Sequence, residues 1–478
     1  MKKRFVYLFY IISIFSLGAC SETKKEKKPN ILIILADDAG YADFGFMGSQ
    51  DLKTPNIDKI AKEGVHFTDF HVTGSVCSPS RAGLLTGRFQ QRFGHEQNLG
   101  SSLGMDTSEV TIADMLKTEG YKTAIFGKWH LGDDAEYHPN RRGFDEFWGM
   151  LAGHRSYFYN EKKDKPGNSK SIQHNGEFVP FKGYLTDVLG DKAIEFIKNN
   201  KDNKWFTYLS YTAVHTPMEA TKEDMALFEG HPRQKLAAMT WAMDRSIGKV
   251  IKTLEETGQL DNTIIYFFSD NGGPSRSNQS SNLPLKGIKG MEFEGGHRVA
   301  SAIMWKGHVK AGTQFNKLTS SLDVYKTTMA AVGVQKDPGK ALDGVNLFPY
   351  LNGEISGAPH DELHWRISPW AASRMGQYKL IRAKGLGYRL YDLSNDIGEY
   401  NDISKKEPEL LNKAIQKLET WEEGTIDQLW DGYPGWIEVK KFMYSDLMNN
   451  RDIRFYSPGQ LKSHKKKTGK DPELLNEY

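Results

Sequence analysis

The chain has 478 residues, enough for one large buried core with a smaller companion. It is 26% charged and 12% aromatic with a mean hydropathy of −0.57, which excludes an intrinsically disordered chain and a polytopic membrane protein. A net charge of +3 is too small for a nucleic-acid-binding surface, and the lysine runs at 24–28 and 465–467 read as a solvated linker and tail.

Residues 1–20 carry early positive charges at Lys2, Lys3 and Arg4, an apolar run from Phe5 to Leu17, and small residues before Cys20. The run is too short for a membrane-spanning helix and has the shape of a secretory signal. Its end, Leu17-Gly18-Ala19-Cys20, resembles the lipobox of bacterial lipoproteins, in which the Cys becomes the lipidated first residue of the mature chain. The expectation is an exported periplasmic or cell-surface lipoprotein, touching a membrane only through an anchor at Cys20, with 21–28 as a polar tether. Cys77 is then the one cysteine of the exported protein, so no internal disulfide can form. A solitary cysteine is either an inert core residue or a reactive group.

In chain order, Asn30–Leu35 is a continuous apolar run, as expected of a strand covered on both faces, and ends at Asp37-Asp38. Thr54–Gly64 reads as a helix with Pro55 near its start and glycine at its end. Val65–Val72 is the next strand and leads into Cys77-Ser78-Pro79-Ser80-Arg81. Thr111–Glu119 is a helix, Tyr121–Phe126 a strand followed by Lys128 and His130, Asp187–Asn199 a helix, and Trp205–Tyr211 a strand followed by His215. From Gln234 to Thr257, Leu236, Met239, Met243, Ile247, Val250, Ile251 and Leu254 keep helical spacing. Thr263–Phe268 is again a strand, followed by Asp270-Asn271. After about residue 345, strand-like runs at 362–366, 378–382 and 388–393 suggest an antiparallel meander with a helix over 406–421, and the last forty or so residues have no placement.

Alternating strands and helices imply an α/β fold: a large, mostly parallel sheet flanked by helices over 29–345, then a smaller C-terminal α+β subdomain with an antiparallel sheet and an extension over 346–478. Ligands bind beyond the carboxyl ends of such strands. That edge should gather Asp37, Asp38, Cys77, Arg81, Lys128, His130, His215, Asp270 and Asn271. Two aspartates after one strand and an Asp-Asn pair after another form a hard oxygen set suited to Ca²⁺ or Mg²⁺ rather than Zn²⁺. With Arg81, Lys128, His130, His215 and Lys289 around that cation, the edge suits a tetrahedral oxyanion, phosphate or sulfate.

Cys77-Ser78-Pro79-Ser80-Arg81 matches the C-x-P-x-R signature of the sulfatase family. The resemblance extends through Ala36-Asp37-Asp38, Leu84-Leu85-Thr86-Gly87-Arg88, Gly127-Lys128-Trp129-His130-Leu131-Gly132, Ala213-Val214-His215-Thr216-Pro217, Ser269-Asp270-Asn271-Gly272, Glu294-Gly295-Gly296-His297-Arg298-Val299 and Leu390-Tyr391-Asp392-Leu393. It implies an alkaline-phosphatase-like fold and a Cys77 oxidised to formylglycine by a dedicated maturation enzyme. The resemblance also implies one Ca²⁺ held by residue 77 with Asp37, Asp38, Asp270 and Asn271. The hydrated aldehyde would attack sulfur through one hydroxyl and expel sulfate through the second. Arg81 and Lys128 would hold the diol, His130 would take a proton, and His215 and Lys289 would bind sulfate and protonate the leaving oxygen. Rim contacts are expected from His95, His154, Arg155, Trp365 and Arg366, since an aromatic next to arginines suits a sugar ring bearing further negative charge. With the lipoprotein-type export signal the chain resembles bacterial glycan sulfatases, which implies a sulfated carbohydrate substrate such as carrageenan, ulvan or a glycosaminoglycan. Two alternatives stand: a phosphonate monoester or phosphodiester hydrolase of the same superfamily, and a glycan-binding lipoprotein on a dead scaffold. Neither the sugar nor the oligomeric state is readable from the sequence.

Overall fold

The run Asn30–Ala36 forms a strand buried along its whole length. Leu32, Ile34 and Ala36 pack in one hydrophobic layer and Ile31, Ile33 and Leu35 in another, the two-sided burial of a strand inside a parallel sheet. The computed structural model describes residues 27–475 except 101, 335 and 337. The segment expected to be a signal, Cys20 and most of the expected tether lie outside the described residues. Among the described residues, no helix is long and apolar enough to cross a membrane.

The large sheet has ten strands. Its centre runs Thr263–Ser269, Asn30–Ala36, Trp205–Ser210, Lys122–Lys128 and Glu146–Met150, all parallel. Ser301–Met304 joins Thr263–Ser269 antiparallel and links it to Val65–Phe67. The run expected as one strand over Val65–Val72 is broken into Val65–Phe67 and Phe70–His71, and the second piece pairs instead with Thr319–Ser320. Helices Pro55–Glu63, Leu185–Asn199 and Gln234–Glu256 cover one face, with every apolar residue named above for the longest helix buried. Helices Cys77–Thr86, Ile112–Thr118 and Asp323–Ala331 cover the other. Leu347 and Leu351 still pack in this second layer, so the chain leaves the large unit somewhat later than residue 345.

The smaller sheet is a four-stranded meander, Glu362–Ile367, Trp370–Met375, Tyr378–Ala383 and Gly387–Asp392. Helix Pro408–Glu423 covers one face through Ala414 and Leu418. The other face packs on Met291 and Phe293 of the large unit together with Val439, Phe442, Met443 and Tyr444. The unplaced extension therefore contains the helix Pro434–Met448, wedged into the junction of the two units, followed by the helix Pro458–Thr468.

A buried ionic cluster also joins the units. Glu294 of the large unit accepts from Lys379 at 2.8 Å, Arg374 at 3.0 Å and Arg298 at 3.2 Å, and the first two belong to the small sheet. Burial alone would raise the Glu294 carboxyl, but Lys379 and Arg374, with His71 and Arg298, hold it well below 4.5. A carboxyl with a depressed folded pKa contributes its stability in full above its unfolded value of 4.5 and loses it as the pH falls below. Glu294→Ala should leave buried cations unpaired and cost about 3–5 kcal/mol, read as a lower urea midpoint at neutral pH. The variant should also lose part of the wild-type fall in stability on acidification below 4.5.

Candidate active site

Register brings the polar edge together. Ala36 lies opposite Ser269, and Leu35 and Gly127 both lie opposite Ser210, so Asp37, Asp270 and Lys128 emerge at one level. Lys128 Nζ donates to Asp37 Oδ2 at 2.7 Å, with both side chains fully buried. Asp38 turns out of the strand at φ +65°, a conformation aspartate tolerates better than most residues, and its N–H donates to Asp270 Oδ1 at 3.2 Å. Asn271 Nδ2 donates to Asp38 Oδ1 at 2.8 Å, while Asn271 Oδ1 is buried without a partner.

Cys77 opens a helix that is buried at every position and ends at Gly87, whose φ of +65° favours glycine. The start of this helix is pinned: Ser78 Oγ donates to the His130 carbonyl and shares a hydrogen bond with His95 Nε2, each at 2.7 Å, and Ser78 N–H donates to Asn98 Oδ1 at 3.1 Å. One turn on, Arg81 sends Nε to Asp270 Oδ2 at 2.9 Å and Nη1 to Ser210 Oγ at 2.6 Å and the Lys128 carbonyl at 3.1 Å. Cys77 Sγ lies 3.0 Å from Lys289 Nζ and 3.6 Å from Asp37 Oδ1. Burial, with Asp270 and Asp37 nearby, pushes the thiol up to about 12 in spite of Lys128 and Lys289. Cysteine nucleophiles work as thiolates with pKa values of roughly 3.5–7.5, so as a thiol this group is inert.

His215 Nε2 lies 3.5 Å from Asp38 Oδ2, and Nδ1 donates to the Thr216 carbonyl at 2.6 Å. Burial, helped by Lys289 and Lys128 and opposed by Asp38, brings its pKa down to about 4, so at neutral pH Nε2 holds a free lone pair. Lys289 Nζ donates to Asp38 Oδ1 at 2.6 Å; burial would lower its pKa, but Asp38 reverses the sign and keeps the ammonium protonated. His130 is held neutral by burial and by Lys128 and Arg81, and its ring fits only because residue 153 is glycine: a Cβ there would come within 2.5 Å of it. Cys77, His130, His215 and Asn98 line one cavity of about 340 Å³, shared with His154 and Lys170.

Ligand atoms of Asp37, Asp38, Cys77 and His215 lie within 4.8 Å of one another. Asp37, Asp38 and the orphaned Asn271 Oδ1 supply oxygen donors of the kind that suit Ca²⁺ rather than Zn²⁺, while Asp270, expected as a ligand, lies outside that cluster and accepts from Arg81 through Oδ2.

The sulfatase family profile matches residues 29–334. Human N-acetylgalactosamine-6-sulfatase is 33% identical over 374 residues, covering 73% of this chain and 71% of the relative. The chain belongs to the sulfatase family. It is a sulfuric ester hydrolase. Among solved structures, Ps i-CgsB in complex with k-i-k-neocarrahexaose superposes on this sulfatase with a TM-score of 0.81 at 38% identity, covering 86% of this chain and 96% of that one. A Bacteroides thetaiotaomicron sulfatase of glycosaminoglycan metabolism gives a TM-score of 0.70 at 26% identity, covering 83% and 99%.

The rim of the sulfatase differs from expectation. Of the five residues read as substrate contacts, only His154 lines the cavity. His95 is buried behind Ser78, and burial takes its pKa down to about 3, so it is a neutral partner of that hydroxyl. Trp365 is buried, donates Nε1 to the Val72 carbonyl at 2.7 Å and stacks on His297. Arg366 binds Glu96 at 2.6 Å, and Arg155 binds Asp164 at 2.9 Å. These arginines and this tryptophan tie segments together instead of facing the cavity, because an internal partner takes each polar head.

Other residues of the sulfatase site carried no motif. Ser210 fixes Arg81, and Asn98 both lines the cavity and caps the Cys77 helix. The loop bearing Lys289 is clasped by the extension: Lys286 Nζ donates to Asn450 Oδ1 at 2.7 Å and to the Leu447 carbonyl at 3.2 Å, and Glu292 N–H donates to Tyr444 Oη at 2.8 Å. Trp430 packs edge-on against His95 and donates to the Asn98 carbonyl at 3.2 Å. Aromatic content at 430–455 was visible in the sequence, but its partners were not.

Proposed function

We propose that this sulfatase removes sulfate from a sulfated carbohydrate, with Cys77 converted to formylglycine by a maturation enzyme and Ca²⁺ held by Asp37, Asp38, Asp270, Asn271 and residue 77. The observation that carries the reading is an inert thiol, at about 12, seated among Lys128, Lys289 and three carboxyl groups. A cysteine that is no nucleophile has a reason to occupy this position as the precursor of one. Human N-acetylgalactosamine-6-sulfatase by its name, and Ps i-CgsB by its neocarrahexaose complex, support a carbohydrate substrate. The lipobox-like Leu17–Cys20 supports export and anchoring through Cys20.

The protein's own residues can perform the remaining work. Formylglycine hydrate supplies an attacking hydroxyl and a second one that releases sulfate. Bound Ca²⁺ supplies positive charge for the ester oxygens and for the attacking group. Lys128 and Arg81, both locked by buried partners, would hold the hydrated residue 77. Lys289 places an ammonium beside residue 77, where the sulfate must lie. His130, held neutral, is available as a base. His215 presents Nε2 into the same space; an anion lodged there raises its affinity for a proton, which it can pass to the departing sugar oxygen.

A sugar alkoxide is far more basic than a nitrophenolate, so proton delivery matters for the natural ester and little for an activated aryl sulfate. His215→Ala should lower sugar-sulfate turnover by about 10²- to 10⁴-fold and aryl-sulfate turnover much less. Steady-state rates on the two substrates check this. Equal losses would assign His215 to sulfate binding and leave Lys289 as the acid. Aryl phosphonate cleaved in preference to every sulfate ester would overturn the reading.

A further inference from the structure

One cation in the cavity has no part in the chemistry above. Lys170 lines the same cavity as Cys77 and His215 and makes no ion pair among the described residues. Its ammonium donates to His154 Nε2 at 2.9 Å, and the His154 ring stacks on His215 with centroids 6.0 Å apart and an interplanar angle of 20°. Burial, with Lys170 and His215 nearby, brings His154 down to about 4, so its neutral ring accepts at Nε2 and keeps Nδ1–H as a donor. Lys170 thus stands one imidazole beyond the group assigned to the leaving oxygen.

The backbone here is built, not loose. The Ser169 carbonyl accepts from both Leu151 N–H at 3.0 Å and Ala152 N–H at 2.9 Å, directly after the strand Glu146–Met150. The Lys170 carbonyl accepts from Arg155 Nη1 at 3.0 Å, and Arg155 is itself held in a buried pair with Asp164. Arg155, expected at the rim, thus holds the Lys170 backbone. Asp133 also lines the cavity, and carboxyl oxygens there are suited to accept from sugar hydroxyls.

We propose that Lys170, oriented by His154, forms a second-anion subsite, which binds a sulfate or carboxylate carried by the same oligosaccharide near the ester that is cleaved. The proposal deepens the carbohydrate reading and rests on it. This sulfatase should accordingly prefer sugars with two anionic groups over the same sugars with one.

The test compares the full mature protein with Lys170→Gln and Lys170→Arg. Substrates are carrageenan oligosaccharides bearing two sulfates or one per disaccharide, and sulfated glycosaminoglycan disaccharides with and without the uronate carboxylate. The readout is the ratio of kcat/KM between the doubly and singly anionic member of each pair. Lys170→Gln should lower that ratio about two- to fivefold, the effect of one exposed ion pair, while Lys170→Arg retains it. The wild-type ratio should shrink as salt is raised toward ~1 M, where screening acts within about 3 Å. A fall in the sulfate pair alone assigns the subsite to sulfate, and in the uronate pair alone to carboxylate. An unchanged ratio in both pairs overturns the subsite while wild-type sulfate release leaves the carbohydrate reading standing. A wild-type protein that releases sulfate from no sugar overturns both.

Discussion

Cys77→Ser should turn over once and stop. A serine hydroxyl in the place of the aldehyde hydrate can attack sulfur, but the resulting simple ester has no second hydroxyl to expel sulfate. Protein incubated with substrate should therefore gain the mass of one sulfuryl group on the peptide containing residue 77, with steady-state turnover lost. Its surroundings stay intact, since Arg81, Lys128 and Lys289 are held chiefly by Asp270, Asp37 and Asp38 rather than by the thiol. Continued turnover by Cys77→Ser would show that the second hydroxyl is dispensable.

Asp270→Ala should lose activity and stability together. Arg81 is fully buried, gives Asp270 Oδ2 its Nε at 2.9 Å and holds Nη2 in ion-pair contact 2.8 Å from the same oxygen, and Asp270 Oδ1 also holds the Asp38 N–H. Removing the carboxylate leaves a buried guanidinium without its main partner, which costs about 3–5 kcal/mol. Asp270→Asn is the sharper variant, because the amide keeps an acceptor oxygen for Arg81 and removes only the charge. It should fold, lose roughly 10²- to 10³-fold in rate, and lose most of the Ca²⁺-dependent rise in Tm. For the wild-type protein that rise corresponds to about 2.7 kcal/mol at a Ca²⁺ concentration 100 times Kd. A variant as active and as Ca²⁺-stabilised as the wild type would remove Asp270 from the metal set.

That the polar residues after the strands gather on one edge was legible in the sequence because it follows from local signals. Runs such as Asn30–Ala36, Trp205–Ser210 and Thr263–Ser269 declare buried parallel strands, and the topology of a parallel sheet then sends the residues after each run to one side. The strands Ser301–Met304 and Trp370–Met375 escaped notice: the first is only four residues long and pairs antiparallel, and the second begins two residues after its neighbour, across Ser368-Pro369. The rim was misread for a different reason. Trp365 and Arg366 have the composition of a sugar platform, yet their partners Val72 and Glu96 lie 293 and 270 residues away, and no local pattern announces such a pairing. Lys170 had the opposite fate, since an exposed lysine in a polar loop carries no signal until its neighbours His154 and His215 are in view.

The decisive measurement is peptide mass spectrometry of residue 77 across preparations made with and without the formylglycine-generating enzyme, each assayed in parallel for sulfate release. Turnover should rise in proportion to the fraction of Cys77 present as the aldehyde and vanish when every copy keeps its thiol. Full sulfatase activity from protein whose Cys77 is wholly unmodified would contradict the aldehyde as the working group of this site.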